Sequence, residues 1–130
     1  MTKQGLALSI LPGIFAVCRL AAHSPIPDWA HAGHLFSITR TPDELSIVCL
    51  QNQLPSKVKC EKDWRCLKVE GPLDLSLTGI LASLSAPLAE AGISIFAVST
   101  FDTDYLLIKA NDLQNTIQVL RQAGHHIQET

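Results

Sequence analysis

Two carboxylates, three hydroxyls and one aromatic ring stand together in Ser99-Thr100-Phe101-Asp102-Thr103-Asp104. Asp104 offers a partner for an ammonium or guanidinium group, and such a charge-assisted bond holds best where water and salt are partly excluded. Phe101 can lie over an aliphatic stem or a cation. A second polar stretch, Gly71-Pro72-Leu73-Asp74-Leu75-Ser76, suits the other end of the same ligand. Backbone N–H groups in a glycine loop that leads into a helix attract a carboxylate. The two stretches are thus compatible with a site for a free amino acid. The same residues also read as turn chemistry, with Asp102, Thr103 and Asp104 bonding the local backbone of a hairpin. Asp74 or Ser76 equally suits the cap of a helix.

No other residues make a stronger claim. Ser, His and Asp are present without a nucleophile signature, and no glycine-rich phosphate loop occurs. His125-His126 point to opposite faces if they lie on a strand, and no carboxylate or cysteine supports them as metal ligands. They are expected to face solvent. His23, His31 and His34 surround a proline-containing loop without a positioned partner. Cys18, Cys49, Cys60 and Cys66 have no C-x-x-C spacing, so reduced, mostly buried thiols are expected. Trp29 and Trp64 read as packing anchors. No catalytic residue, metal or cofactor is expected, and the protein is read as not an enzyme.

The chain has 130 residues, 47% apolar and 17% charged, with a net charge of -2, which excludes a disordered chain and an electrostatic nucleic-acid surface. No apolar run reaches the ~20 residues that cross a bilayer, and the opening stretch makes a poor signal peptide. A cytoplasmic protein with neither nucleic-acid nor membrane partners is expected.

The elements that must position the two stretches follow from periodicity. Trp64 to Val69 reads as a strand closed by Gly71-Pro72. Leu77, Ile80, Leu81, Leu84 and Leu88 recur at helical spacing after a cap at Asp74 or Ser76, Pro87 is expected to kink the last turn, and Gly92 stops the helix. Ile93 to Ser99 and Tyr105 to Lys109 form a hairpin. A second helix opens at Asn111 or Asp112, shows Leu113, Ile117 and Leu120 on one face, and stops at Gly124 before a short strand from His125 to Gln128. The order β-α-β-β-α-β produces a four-stranded antiparallel sheet with both helices on one face, a ferredoxin-like α+β fold.

A shift of about 60 positions lays Leu35-Phe36-Ser37-Ile38-Thr39 over Ile95-Phe96-Ala97-Val98-Ser99 and Glu44 over Asp104. Under that shift Thr41 stands where Phe101 does, and the strand Leu6 to Leu11 corresponds to Trp64 to Val69. The first copy is degenerate: Ile14 to Leu20 reads as strand, and Pro25-Ile26-Pro27 forbids a regular helix. Units 1–60 and 61–130, packed as one compact body, are expected.

The runs Leu67 to Gly79, Leu88 to Ile108 and Phe36 to Val48 resemble the ACT domains of the aspartate-kinase-like group, closest to small bacterial tandem-ACT proteins and to the cytosolic arginine sensors of animals. That resemblance implies a regulatory module that pairs side by side, performs no chemistry and binds a small effector, usually an amino acid, near the loop after its first strand. It implies ligand contacts from Gly71, Asp74, Leu75 and Ser76 on one wall and from Ser99, Thr100, Phe101 and Asp104 on the other. In the arginine sensors the equivalent Asp meets the guanidinium, and that role maps onto Asp104. Those sensors carry four ACT-like units where this chain has length for two.

The reading that results is a sensor of an amino acid or related metabolite, homodimeric, with a regulated protein partner. The alternative is an interaction or assembly module whose pocket is vestigial and whose sheet edge pairs with another protein.

Overall fold

The computed structural model describes residues 5–74 and 78–129. Leu75 and Ser76, expected at the site, and Leu77, expected on the first helix, lie outside them. The strands are β1 (Ala7–Ile10), β2 (Phe15–Leu20), β3 (Ser37–Arg40), β4 (Leu45–Leu50), β5 (Lys59–Val69), β6 (Ile95–Ser99), β7 (Asp104–Lys109) and β8 (His126–Gln128). The helices are α1 (Ile80–Glu90) and α2 (Leu113–Gln122), with single 3-10 turns at Asp28–His31, Gln51–Gln53 and Ala110–Asp112. The fold is α+β.

The described residues divide by packing into Gly13–Trp64 and a second unit made of Arg65 onward together with the segment that ends at Pro12. A division at residue 60 in chain order is therefore not the one the packing follows. The reason lies in β1. Leu6, Leu8 and Ile10 alternate along it and join the core of Leu67, Val69, Leu106, Ile108 and Ile127. β1 pairs antiparallel with β5 through Leu8–Val69 and parallel with β8 through Leu8–Ile127. The strand order in this unit is β8-β1-β5-β7-β6. The expected four-stranded antiparallel sheet thus carries a fifth, intercalated strand and one parallel pair. The strand that the repeat lays over Trp64 to Val69, Leu6 to Leu11, is thus not its counterpart in a first copy but its antiparallel neighbour.

α1 and α2 cover the face that carries Leu67, Val69, Leu106 and Ile108. Leu84 and Leu88 from α1, and Leu113, Ile117 and Leu120 from α2, supply the apolar stripe that helical spacing requires. Each such side chain contributes roughly 1.5–3 kcal/mol when fully buried. α1 begins at Ile80 with Gly79 in the cap position at φ 76° and no side-chain cap, so Asp74 does not cap it. The chain before it is held elsewhere, because the Leu73 N–H donates to the Asp102 carbonyl at 2.6 Å. α2 opens at Leu113 after the 3-10 turn, and Gly124, with φ 98°, follows its last turn.

In the unit Gly13–Trp64, β3-β4-β2 and the first half of β5 form an antiparallel sheet. Ala16, Cys18, Leu45, Ile47 and Cys49 line its core. Ala30, in the 3-10 turn Asp28–His31, closes that face where the other unit has helices. The prolines Pro25 and Pro27 prevent anything longer. Arg40 donates to the carbonyls of Ala22 and Ser24 and ties down the loop in front of the turn. β2, β3 and β4 here take the places that the end of β5, β6 and β7 take in the other unit.

Candidate functional site

The turn between β6 and β7 is closed by one side chain. The Thr100 N–H donates to the Thr103 carbonyl at 2.8 Å. The Thr100 hydroxyl donates to the same carbonyl at 3.0 Å and accepts the Thr103 N–H at 3.2 Å. Thr103, 4% exposed, turns its own hydroxyl inward and donates to the Val69 carbonyl at 2.6 Å, which fastens the turn to the end of β5. The two threonines therefore do the work that turn chemistry assigns to the aspartates. Among the described residues, neither the Asp102 nor the Asp104 carboxylate accepts a hydrogen bond or joins an ion pair.

The carboxylates are left to face a cavity of about 170 Å³, lined by residues 99–104 of the turn, Leu73 and Asp74 of the preceding loop, and Ile80 at the start of α1. This is below the ~300–1,000 Å³ of clefts for drug-sized ligands and suits a smaller molecule. Asp104 is half-buried, Asp74 and Asp102 are exposed, and Phe101 stands at the rim with 79% of its surface open. Asp74 takes part in a further interaction of its own. No basic residue is among the described residues that line the cavity.

Ile80 brings the first turn of α1 to the same cavity. The opening N–H groups of a helix lack intrahelical partners, and with about half a positive charge at that end they favour an anion. The anion-attracting helix end is thus at Gly79–Ile80, several residues later than the sequence suggested.

The structure brings together Asp74, Ser99, Thr100, Phe101 and Asp104 of the expected set. Gly71 stands behind the wall. A Cβ there would lie 3.1 Å from the Asp102 carbonyl oxygen and 3.3 Å from Thr103 Cβ, so glycine permits the loop to pass close to the turn. Leu75 and Ser76 lie outside the described residues. Leu73, Ile80, Asp102 and Thr103 were missed as lining residues. Thr103 was legible in principle, since a hydroxyl in a buried position needs a partner.

The repeat match is displaced by one residue. In the turn between β3 and β4, the Thr41 N–H donates to the Glu44 carbonyl at 2.9 Å, and the Thr41 hydroxyl accepts the Glu44 N–H at 3.1 Å. Thr41 therefore answers to Thr100, Pro42 to Phe101, Glu44 to Thr103 and Leu45 to Asp104. Glu44 is not the counterpart of Asp104.

His125 is the second departure. Instead of facing solvent it is 6% exposed. Its Nδ1 accepts the Leu6 N–H at 3.0 Å, which leaves the ring proton on Nε2, 3.0 Å from the Ser83 carbonyl. Pro87 has no N–H, so the Ser83 carbonyl has no partner within α1, and the imidazole supplies one. A proline four residues after a helical serine was the available signal. His126 is exposed as expected. The His31 ring stands edge-on to Phe36 and His34 edge-on to Phe15.

A turn site beside the end of β5, with helices on one sheet face, is the arrangement expected of an α+β domain of the ACT type. The sequence profile of the ACT domain matches residues 59–122, and the profile of a separately described N-terminal domain matches residues 13–57. Residues 59–122 belong to the ACT domain family. A solved protein from Agrobacterium tumefaciens is 45% identical over 98% of this chain and 96% of its own, with a TM-score of 0.93. The cytosolic arginine sensor for mTORC1 subunit 1 of Bos taurus is 31% identical over 65% of this chain. This chain spans 29% of that sensor's length. The regulatory subunit of aspartate kinase from Thermus thermophilus shares the fold, with a TM-score of 0.60 over 89% of this chain and 96% of its own at 12% identity. Among the described residues, no helix is long and apolar enough to cross a membrane.

Proposed function

We propose that the protein is a non-catalytic regulatory module that binds an amino acid or a closely related metabolite in the cavity beside residues 99–104. The observation that carries this is the pairing of charges across the cavity. Asp104 and Asp102, unused by the turn, face the uncapped start of α1. A ligand with a cationic group at one end and a carboxylate at the other satisfies both. Three aspartates and no basic residue among the described lining residues favour a ligand whose cationic charge is at least as large as its anionic charge. Phe101 at the rim closes over the aliphatic portion. A named arginine sensor among the relatives, and a named aspartate kinase regulatory subunit among the structural neighbours, support the amino-acid class. The protein acts as a cytoplasmic homodimer and passes occupancy to a regulated protein.

The test is a thermal-shift screen of the twenty amino acids and common metabolites. A binder of the native state raises the melting temperature with concentration, by about 2.7 kcal/mol of stability at a hundredfold excess over Kd. Asp104→Ala is expected to abolish that rise while leaving the melting temperature without ligand unchanged. A rise that survives Asp104→Ala overturns this site. Absence of any rise, with partner capture intact in the variant, favours the assembly module, which the exposed ring of Phe101 also suits. Light scattering after size exclusion tests the dimer.

A further inference from the structure

Away from the pocket, the unit Gly13–Trp64 gathers three sulfurs on one sheet face. Cys18 on β2 stands directly across from Cys60 on β5. Cys49 on β4 is opposite Ala16, and Cys18 is opposite Ile47, so Cys18 and Cys49 are diagonal neighbours. Cys18 and Cys49 belong to the buried core, and Cys60 packs against it. Among the described residues, no group of His, Cys, Asp or Glu side chains is arranged to hold a metal ion. The chemistry open to the cluster is that of thiols.

Access and geometry divide the three. Cys18 is 2% exposed and Cys49 fully buried, whereas Cys60 is half-buried. An oxidant from solvent therefore meets Cys60 first. Residues directly opposed on antiparallel strands have Cα atoms about 4.5–5.5 Å apart, inside the ~4.4–6.8 Å span of a disulfide. Diagonal neighbours lie about 7–8 Å apart, outside it.

We propose that Cys60 and Cys18 form a redox-sensitive pair, in which a hydroperoxide oxidises Cys60 and Cys18 then closes a reversible disulfide between β5 and β2. In the first step the Cys60 sulfur takes one peroxide oxygen to become a sulfenic acid, and the hydroperoxide leaves as its alcohol or as water. In the second step the Cys18 sulfur attacks the Cys60 sulfur, the S–O bond breaks, and hydroxide leaves with the Cys18 proton as water. Two thiols and one hydroperoxide give one disulfide. Cys49, fully buried and diagonal to Cys18, does not join the bond. Cys66 lies buried in the other unit, which keeps it out of the exchange.

The full chain is treated with one equivalent of hydrogen peroxide, quenched with an alkylating reagent in denaturant and mapped by peptide mass spectrometry. The expected result is a fall from the four free thiols to two, with a Cys18–Cys60 cross-linked peptide that dithiothreitol removes. Cys60→Ser is expected to abolish the cross-link and Cys49→Ser to preserve it. A bond that includes Cys49, sulfinic acid at Cys60 without a cross-link, a bond between chains, or four thiols still free would each overturn the proposal. The map of the unaltered chain decides the matter even if a variant fails to fold.

Discussion

The turns Thr41–Glu44 and Thr100–Thr103 are closed by the same hydroxyl in the same way, and the second lines the cavity described above while the first does not. The difference lies in the two positions that follow the threonine motif inward. Where the first turn has Glu44 and Leu45, the second has Thr103 and Asp104. Leu45 is fully buried in its unit's core, while Asp104 is half-buried at the cavity wall. Thr103 anchors to β5, and the loop that follows β5 comes back to the turn through Leu73. The backbone device is thus generic. The site is made by which side chain the device delivers, and by a helix start that only this unit possesses.

That contrast breaks most sharply at its last position. Leu45→Asp places a charge in a dry core and is expected to destabilise the unit by about 4 kcal/mol or more, read by urea unfolding. Asp104→Leu, at the corresponding place, is expected to leave stability within about 1 kcal/mol and to remove ligand response. Equal losses from the two changes would show that the turns are not distinguished by this position. Next in size, Thr103→Val removes the donor to the Val69 carbonyl and should cost about 1–3 kcal/mol, whereas Glu44→Ala should cost no more than about 0.5 kcal/mol. A neutral Thr103→Val would deny that the hydroxyl anchors the turn. The smallest effect sharpens the likeness. Thr41→Ala and Thr100→Ala should each cost about 0.5–1 kcal/mol and agree with one another, since each removes the hydroxyl that accepts the N–H three residues on in a surface turn. A twofold disparity in unfolding free energy would argue against equivalent turns.

The sequence carried the apolar stripes of α1 and α2 and both hairpins because 3.6- and 2-residue periods are local properties. It placed Asp104, Thr100 and Phe101 together because they are neighbours in the chain. It did not place β1, since Leu6, Leu8 and Ile10 would suit any half-buried strand and nothing local says which neighbour they join. The start of α1 was misplaced for a related reason. Asp74 and Ser76 are good caps, but the tie from Leu73 to Asp102 holds the chain ahead of the helix and is a long-range contact. His125 was misread because its partners, Leu6 and Ser83, are distant in sequence and one of them is a carbonyl that only Pro87 orphans. The one-residue error in the repeat came from matching acid to acid. Matching threonine to threonine follows the hydrogen bonds.

The position of β1 between β5 and β8 also sets a timetable for the chain. Residues 7–9 find both neighbours only when residues 126–128 are available, and the contact between Leu6 and His125 spans 119 positions. Such pairing makes a high contact order, and high contact order slows folding. A nascent chain therefore carries the antiparallel pair of β1 and β5 with one edge of β1 open until β8 is made, a period in which that edge can recruit another strand. Gly13–Trp64, whose sheet pairs residues from within its own span, is free of that wait and can be complete before β6 has been synthesised.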